Sequence, residues 1–387
     1  MVTQTPAAGD EGSPEVLHAA GAVPRKGSAL PIIRTVALDG SAAQAGNGLP
    51  RAPSMADVAA RAGVSSQTVS RVSTGADKVR PETRRRVLAA MDELGYSPNS
   101  AARALRYGSF STIGVIAHRL ARTGESRTVE AVVEAARDEG YTVSLVDVHS
   151  PSSHDVTAAA ARLSHQAIDG LVIIRAETAT PATLALPARL PVVVSDSRFV
   201  GHHPAVGADQ TGGTCRAVEH LLALGHHTVH HLAGPADSGP AAMRVDAWRS
   251  TLERAGRPVP ALLRGDWSAE SGYLQGQRIA QERAATAVLC ANDEMAAGLM
   301  RALHEADVRI PQDVSVVGFD GIPLAEYLWP PLTTVAQDFH AIGRELVRLL
   351  LTQIRDGAEL TDVHTLVPVE LIIRGSTAPP SGASRPR

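Results

Sequence analysis

Hydrophobic positions recur at helical spacing in a short segment near residue 70. In SSQTVSRV (65–72), Val69 and Val72 lie three positions apart, so on a helix they form one apolar stripe. The remaining side chains then share the opposite, polar face, and these are Ser66, Gln67, Ser70 and Arg71. This pattern predicts a helix that buries two valines and presents hydrogen-bonding groups to solvent.

Helix start and stop signals place this segment between two further helices. Ser54, with Asp57 three positions on, is typical of a capping box, and Gly63 marks the end of that first helix. Ser65 is a good N-cap for the second helix. A third helix is predicted over 81–95, with proline at its first position and glycine at its end. Three short helices with a glycine turn between the first two indicate a helix-turn-helix module.

After Gly108 the pattern changes to short apolar runs separated by helical segments. Alternation of this kind is typical of parallel sheets covered by helices. About 270 residues are ample for two such sheets, so we expect two α/β lobes with a cleft between them. The runs are IGVIA (113–117), YTVSLVDV (141–148), GLVII (170–174), LPVVVSD (190–196), HTVHHLAG (227–234), TAVLCAND (286–293) and DVSVVGFD (313–320).

Both ends of the chain lack a sustained period. Residues 1–50 are rich in Ala, Gly, Pro and Ser, and we expect a disordered extension there. The tail 376–387, STAPPSGASRPR, carries no heptad repeat and is also predicted to be disordered.

Charge is distributed unevenly along the chain. The segment 51–107 holds ten basic and five acidic residues and is therefore +5, although the whole chain is -3. The remainder accordingly carries -8. A small basic module joined to a larger acidic body predicts that a polyanion meets one end only.

Composition excludes several classes of protein. No apolar run approaches the roughly 18 residues of a membrane helix, and no basic, apolar and cleavage-site pattern indicates secretion, so we expect a cytoplasmic protein. Cys215 and Cys290 belong to no C-x-x-C pair, which argues against disulfides and structural zinc. The cluster GHHTVHH (225–231) is a weak alternative metal site, because neighbouring histidines on a strand point to opposite faces. We therefore expect no metal and no cofactor.

Longer stretches of the chain resemble the LacI/GalR family of bacterial repressors. MADVAARAGVSSQTVSRV, followed by VRPETRRRVLAAMDELGYSPNSAARAL, is similar to the family's DNA-binding headpiece, and the similarity continues to about residue 375. The motifs that carry it in the body are LAGP (232–235), GDWSAESGY (265–273), ANDEMAAG (291–298) and PPLTTVAQDF (330–339). The resemblance implies a headpiece at 51–98, a hinge helix at 99–108 and a two-lobed, periplasmic-binding-protein-like effector domain at 109–375. It also implies a homodimer on double-stranded operator DNA.

The second helix is the predicted reader of DNA bases. In a helix-turn-helix this helix lies in the major groove, where Gln67 can bond an adenine edge and Arg71 both acceptors of a guanine. The alternative is a merely solvated helix face. The resemblance leads us to expect an aromatic side chain where Ser66 stands, so the operator can differ from that of relatives. The expected DNA-contacting residues are Ser66, Gln67, Ser70, Arg71, Thr74, Lys78, Thr83, Asn99 and Leu105.

NSAARAL (99–105) resembles the family's hinge helix. A segment this short does not form a stable helix alone, because nucleation outweighs the few hydrogen bonds formed. The resemblance implies that it folds against the twin hinge on DNA, with Leu105 wedged into the minor groove. A plain alanine-rich linker is the alternative.

Polar residues at strand ends indicate a ligand site in the cleft. Asp196, Asn292 and Asp320 each follow an apolar run, and ligands of open α/β sheets collect at the carboxyl ends of strands. Their oxygens can accept hydrogen bonds from sugar hydroxyls, to which Arg244 adds a donor and Trp267 a flat apolar face. The family resemblance implies a pocket of Asp196, Arg244, Trp267, Asn292, Asp320 and Phe339.

Each pocket residue also has a purely structural interpretation. Asn292 and Asp320 could be helix caps, Phe339 could be a core residue, and Arg244 could form a surface ion pair. The hypothesis therefore depends on whether the fold brings the group together.

These features predict a transcriptional repressor that a sugar inducer, a β-galactoside or related glycoside, releases from its operator. A co-repressor mechanism with a purine or other metabolite is the alternative within the family. A solute-binding protein would have no use for residues 51–107. We find no P-loop, G-x-S-x-G or metal-spaced motif, and we therefore expect no enzyme.

Overall fold

The computed structural model describes residues 53–73, 79–96, 109–148, 152–174, 186, 189–195 and 202–381. The chain divides into two compact units, Met1–Tyr96 and Ser97–Arg387. Predictions for the first 50 residues and the hinge lie outside the described residues. So do five predicted site residues, namely Thr74, Lys78, Asn99, Leu105 and Asp196.

The described residues of the first unit, 53–73 and 79–96, form three helices around one small apolar core. They are α1 (Met55–Ala62), α2 (Ser66–Ser73) and α3 (Pro81–Leu94). Val58, Val69 and Val87 contribute one fully buried side chain from each helix, and this shared contact fixes the three-helix arrangement.

The local signals read from the sequence decide where these helices begin and end. The Ser54 side chain accepts a hydrogen bond from the Asp57 amide, while the Asp57 carboxylate accepts from the Ser54 amide, so the predicted capping box is confirmed. Gly63 ends α1 at φ 63°, a left-handed conformation that favours glycine. The Ser65 hydroxyl accepts from the Thr68 amide and caps α2.

The second unit is built on two six-stranded sheets, which we call the N-lobe and the C-lobe. The N-lobe sheet is wholly parallel, in the order β11-β5-β4-β3-β1-β2. Its strands are β1 (Thr112–His118), β2 (Thr142–Val148), β3 (Gly170–Ile174), β4 (Val192–Ser195), β5 (Ala205–Ala208) and β11 (His364–Val367). Its helices are α4 (Thr123–Asp138), α5 (Ser153–His165) and α10 (Phe339–Asp356).

The C-lobe sheet has the order β12-β10-β9-β8-β6-β7 and is parallel except for the edge pair β10 and β12. Its strands are β6 (His230–Ala233), β7 (Leu263–Arg264), β8 (Ala287–Cys290), β9 (Ser315–Asp320), β10 (Thr333–Gln337) and β12 (Val369–Ile372). Its helices are α6 (Gln210–Ala223), α7 (Gly239–Arg254), α8 (Ala269–Glu282) and α9 (Asp293–Glu305), with a 3₁₀ turn at Pro323–Tyr327.

Three connections join the two lobes. The chain passes from β5 to α6, returns from β10 to α10, and crosses again between β11 and β12. The predicted two-lobed α/β body is therefore confirmed. Residues at the carboxyl ends of parallel strands from both lobes, Arg119 after β1, Asn292 after β8 and Asp320 of β9, line a shared cleft.

A buried histidine lies in the centre of the C-lobe. His231 is fully buried, its Nδ1–H donates to the Leu289 carbonyl at 2.9 Å, and its ring lies 5.5 Å from that of Trp248. The neighbouring His230 is only partly buried, on the other face of β6, as the alternation of a strand predicts. Burial lowers the pKa of His231 from 6.5 to about 4.

We expect the unfolding free energy of His231→Leu to fall less steeply with decreasing pH than that of the wild-type protein. Between about pH 6.5 and pH 4 the unfolded histidine binds a proton that the folded one does not, so stability falls as the pH falls through this window. One such group contributes a slope of about 1.4 kcal/mol per pH unit. Urea unfolding at pH 7, 5.5 and 4.5 measures it. His227→Asn, at an exposed position, should keep the wild-type slope, and an unchanged slope in His231→Leu contradicts the assignment.

The beginning of the tail is held to the C-lobe, so the predicted disorder is wrong for Ser376 to Ser381. The Ser376 hydroxyl donates to the Val316 carbonyl at 2.6 Å and accepts from the Thr333 amide at 2.8 Å. The His226 ring bonds the Ala378 carbonyl at 3.0 Å. We call this ordered segment, 376–381, the strap. The hydrophobic pattern of the sequence did not predict it, because the strap is held by side-chain and backbone hydrogen bonds, which leave no hydrophobic period. Residues 382–387 lie outside the described part.

Removing the anchor of this strap should destabilise the C-lobe. Ser376→Ala leaves the buried Thr333 amide and Val316 carbonyl each without this partner, which costs about 1–3 kcal/mol of unfolding free energy. Urea unfolding at pH 7 measures the change. Ser381→Ala, at the exposed end of the strap, is the matched control and should stay within about 0.5 kcal/mol. Equal values for the two variants would refute the anchoring role.

Candidate effector site and nucleic-acid interface

The predicted DNA-reading face of α2 is available at the surface of the first unit. Ser66, Gln67 and Arg71 are exposed, whereas Val69 and Val72 are buried, so the helix buries the predicted stripe. Ser70 is half-buried on the same helix, and Thr83 is half-buried in the first turn of α3. An exposed row of amide, hydroxyl and guanidinium groups at the start of a helix can bond base edges and phosphates.

A cavity of about 630 Å³ lies between the lobes of the second unit. Four of the six predicted pocket residues line it together, namely Arg244, Trp267, Asn292 and Asp320. The volume falls within the roughly 300–1,000 Å³ of small-molecule sites. The fold thus brings together side chains that are separated by up to 76 positions in the sequence.

Arg244 is buried at the centre of this site. It projects from α7 and is 1% exposed, with its Nη2 atom 3.6 Å from the Asp320 carboxylate. Its Nε–H donates to Gln210 Oε1 at 2.8 Å, and its guanidinium carbon lies 3.6 Å from the centre of the Phe319 ring. The interpretation of Arg244 as a surface ion pair is therefore wrong.

Asp320 ends β9 and turns its carboxylate toward Arg244. Its φ of 107° is in the left-handed region, and its Oδ1 atom accepts a hydrogen bond from Gln337 at 2.5 Å. No helix begins at Asp320, since the 3₁₀ turn starts three residues later. Behind it, burial and the Asp320 charge raise the pKa of Asp293 to about 8. The carboxylate at the cavity is thus held by a guanidinium, an amide and a strained backbone.

Asn292 caps a helix, as one of its two interpretations predicts, and it also lines the cavity. Its Oδ1 atom accepts from the Met295 amide at 3.0 Å and caps α9. Its Nδ2 group lines the cavity and donates to the Trp267 carbonyl and the Glu294 carboxylate, each at 2.9 Å. The cap fixes the orientation of the side chain, so the amide group is pre-positioned at the cavity wall.

Trp267 contributes an aromatic face that is held in place from behind. Its φ is 78°, and its ring packs on Gly234 so closely that a Cβ there would lie 2.5 Å from two ring carbons. The ring centre is 5.6 Å from the Arg244 guanidinium carbon. A glycine at position 234 is therefore needed to leave room for the indole.

Phe339 lines a second, smaller space of about 60 Å³ and not the main cavity. Gln210 and Gln337 line the same space, and Gly124 lines both spaces. Since these glutamines bond Arg244 and Asp320, the small space adjoins the polar network of the main cavity.

The N-lobe wall of the cavity was missed by sequence reasoning. It consists of the loop after β1 and the first turn of α4, with Arg122, Thr123 and Glu125. The Thr123 hydroxyl donates across the cleft to the Glu294 carboxylate. These residues follow the carboxyl end of β1, so the strand-end rule that found Asp320 could have found them too.

The part of the chain that the structure describes offers neither a metal site nor a membrane span. In it, no group of three or more His, Cys, Asp or Glu side chains is placed to hold a metal ion. None of the helices described there has the length and apolar character needed to cross a bilayer.

Comparisons with known proteins agree with this architecture. The family model for bacterial regulatory proteins of the lacI family matches residues 54–99, and that for the periplasmic binding protein-like domain matches 218–377. The lactose operon repressor of Escherichia coli (strain K12) is 38% identical over 339 residues, covering 86% of this chain and 92% of the relative. The chain belongs to the LacI family of bacterial regulatory proteins.

One further LacI-family relative and one solved structure extend the similarity. The transcriptional repressor CytR of Escherichia coli (strain K12) is 33% identical, with 84% of this chain and 96% of that protein covered. A lac repressor dimer bound to operator and the anti-inducer ONPF matches with a TM-score of 0.74 at 35% identity, covering 85% of this chain and all of that one. These relatives are DNA-binding transcriptional repressors and not enzymes, which confirms the prediction of a regulator.

Proposed function

We propose that this LacI-family repressor binds a pseudo-palindromic operator as a homodimer and is released by a sugar, a β-galactoside or related glycoside. The observation that carries this proposal is the cavity in which Arg244, Asp320, Asn292 and Trp267 meet. Hydroxyls of a pyranose can donate to the carboxylate and accept from the guanidinium and amide, while the ring lies on the indole. The site assignments, including Phe339 and Asp196, are part of the proposal.

On the DNA side, we propose that Ser66, Gln67 and Arg71 face the base edges, while Ser70 and Thr83 contact phosphates and help to fix the register. Thr74, Lys78, Asn99 and Leu105 complete the proposed contacts. Because it acts on DNA, the repressor would work in the cytoplasm, at the nucleoid when bound.

The homodimer proposal is supported by an apolar surface on the C-lobe. Leu324 and Tyr327 lie three positions apart in the 3₁₀ turn, where such residues share a face, and they are 53% and 79% exposed. Trp329 follows them and is 92% exposed. Large side chains grouped at a surface in this way are typical of a protein–protein contact.

The proposed release follows from preferential binding. A sugar shifts the equilibrium between DNA-bound and free arrangements only if it binds the free arrangement more tightly. Movement of the N-lobes of the dimer would then separate the paired hinges, which are too short to stay helical alone.

Fluorescence anisotropy of a labelled duplex from the gene's own upstream region tests the proposal at fixed salt. The full-length protein is titrated onto the duplex, and β-galactosides, β-glucosides and purines are then added. Release by a sugar supports the inducible repressor. Tighter binding with a purine would instead establish the co-repressor mechanism.

A further inference from the structure

A carboxylate at the start of β3 holds the segment through which the chain enters the N-lobe. Asp169 precedes β3, and its two carboxylate oxygens accept three hydrogen bonds from residues 109–111, which lead into β1. The Phe110 amide donates to Oδ1, whereas the Ser111 amide and the Ser109 hydroxyl donate to Oδ2, each at 2.7 Å. Hydrogen bonds to a carboxylate are short and strong. We call this arrangement the Asp169 clamp.

The clamp is fixed to the packed part of the N-lobe. The Asp169 amide donates to the Thr112 carbonyl of β1 at 2.8 Å. The next residue, Gly170, lies so close to α10 that a Cβ there would be 2.9 Å from Leu350 Cδ1. Since α10 begins directly after the crossing from β10, closely packed elements connect the clamp to one of the connections between the lobes.

The clamp lies at the end of the N-lobe sheet that is opposite to the cavity. Asp169 bonds the start of β1 at Thr112, whereas the cavity is lined by Arg119, which follows the other end of this strand. Among the residues that the structure describes, those that line the cavity do not include Asp169. The clamp is therefore placed to act on the chain that leaves toward the proposed hinge, 99–108, and not on a ligand in the cavity.

We propose that Asp169 is a positioning residue that couples lobe movement to the hinge by holding the exit of the hinge rigidly on the N-lobe. This role rests on the proposed function, in which a sugar acts on the hinge. Without the clamp, the first fixed residue is Ser111, whose carbonyl accepts from the Thr142 amide at 2.9 Å. Residues 109 and 110 then add about 7 Å of free chain, since one extended residue spans about 3.3–3.6 Å.

Free chain of this length affects the transmission of movement far more than it affects operator binding. Allosteric shifts of packed elements are typically about 1–5 Å, so about 7 Å of free chain absorbs them before they reach the hinge. Operator affinity without sugar depends on the closure entropy of the connecting segment. This segment lengthens only from the 12 residues 97–108 to the 14 residues 97–110. Closure entropy grows slowly with length, so this affinity should change by less than about twofold.

The test measures the ratio of operator affinities without and with saturating sugar, which we call the release ratio. Methyl β-galactoside and methyl β-glucoside are the two probes, added to the full-length protein in operator anisotropy at fixed salt. For the sugar that releases the wild-type protein, Asp169→Ala should lower the release ratio to about three or less, below the range of about 5–150 that is typical of allosteric coupling. Calorimetric titration of the DNA-free variant should still give the wild-type sugar affinity, because the cavity is unchanged.

An insertion reproduces the free chain while it leaves the clamp intact. Gly-Ser inserted between Gly108 and Ser109 adds two residues ahead of the clamp. The release ratio should fall as it does in Asp169→Ala, while the melting temperature stays that of the wild-type protein. A purely structural role of Asp169 predicts a different pattern, namely a lower melting temperature in Asp169→Ala and an unchanged release ratio in both variants.

The matched control is a second carboxylate that holds a loop through three N–H donors. Asp313, in the loop between α9 and β9, accepts from the Arg309 amide at 2.9 Å, from its Nε group at 2.8 Å and from its Nη2 group at 2.7 Å. Asp313→Ala should keep the wild-type release ratio, because the loop that it holds does not lead to the hinge. Operator binding without sugar verifies that each variant is folded.

The outcomes separate the clamp from the proposed function. If neither sugar changes operator binding by the wild-type protein, the sugar-inducer proposal fails and the role of the clamp fails with it. If a sugar releases the wild-type protein and Asp169→Ala keeps the wild-type release ratio, the sugar-inducer proposal stands and the clamp is overturned. An insertion variant with the wild-type release ratio overturns it too, as does weaker sugar binding by DNA-free Asp169→Ala.

Discussion

Replacement of Asp320 by asparagine is expected to keep the repressor on its operator at sugar concentrations that release the wild-type protein. Asp320 is 7% exposed, its carboxylate lies 3.6 Å from Arg244, and the residue lines the cavity. Its loss removes a charged acceptor for sugar hydroxyls, which corresponds to about 1.5–3 kcal/mol, or about tenfold to a hundredfold more sugar for half-release. Operator anisotropy with increasing sugar measures the shift.

Asparagine is chosen because it preserves the shape and tolerates the φ of 107° at this position. Asp307→Asn is the matched control, since Asp307 also has a positive φ, 54°, but is exposed and does not line the cavity. Both variants should bind the operator normally without sugar. Release of Asp320→Asn at the wild-type sugar concentration would remove Asp320 from the proposed site.

The hydrogen-bond network around Asp320 extends to the connections between the lobes. Gln337 bonds Asp320 and ends β10, immediately before the chain returns to the N-lobe at α10. Gln210 bonds Arg244 and begins α6, immediately after the first crossing. The Nε2 group of Gln210 donates to Oε1 of Gln337 at 3.4 Å. A ligand that competes for Arg244 and Asp320 would therefore act directly on two of the three connections, and this links the cavity to lobe movement.

A second contact couples the lobes at the cavity itself. Thr123 of the N-lobe donates to Glu294, and Glu294 accepts from the cavity amide of Asn292. A sugar that bonds the Asn292 amide would compete with Glu294 for it, and the Thr123 contact would change with it. Ligand binding and lobe position thus share the same polar groups, which is what preferential binding to one arrangement requires.

The sequence predicted the parts of the fold that local physics decides. Ser54, Asp57 and Gly63 set the bounds of α1 through a capping box and a left-handed turn, and both are visible in the sequence. The long apolar runs likewise became strands of the two sheets, most of them central, with YTVSLVDV forming the edge strand β2. Short edge strands such as β7, with two residues, carry too little pattern to be recognised. The order of strands and the three crossings depend on tertiary packing, and local pattern does not reveal them.

Of the two walls of the candidate site, the sequence predicted only the C-lobe wall. Polar residues at strand ends and the family resemblance identified the C-lobe wall around Asp320 and Asn292. The N-lobe wall escaped because Arg122 and Glu125 resemble an ordinary charged helix start, where an acidic residue favours the helix dipole. Only the fold shows that this helix start is buried in the cleft. The prediction of a disordered tail failed for a related reason. Ser376 is buried and held by hydrogen bonds, which leave no hydrophobic pattern in the sequence.

Arg71→Ala is expected to abolish most of the preference for operator over random DNA while leaving the sugar response intact. Arg71 is exposed one turn beyond Gln67 on α2, where it can donate to both acceptors of a guanine. Each such contact provides about 1–3 kcal/mol of discrimination, so two headpieces would lose at least about thirtyfold in specificity. Anisotropy with operator and scrambled duplexes at one salt concentration measures the ratio.

The control must remove a positive charge without removing a base contact. Arg85 is exposed on α3. Arg85→Ala should lower the affinity for both duplexes to a similar extent or leave both affinities unchanged. Phosphate contacts carry no sequence information, so a loss of charge alone cannot change the ratio between duplexes. If Arg71→Ala likewise lowers both affinities in parallel, Arg71 is a phosphate contact. The reading of bases would then rest on Gln67 and its neighbours at the start of α2.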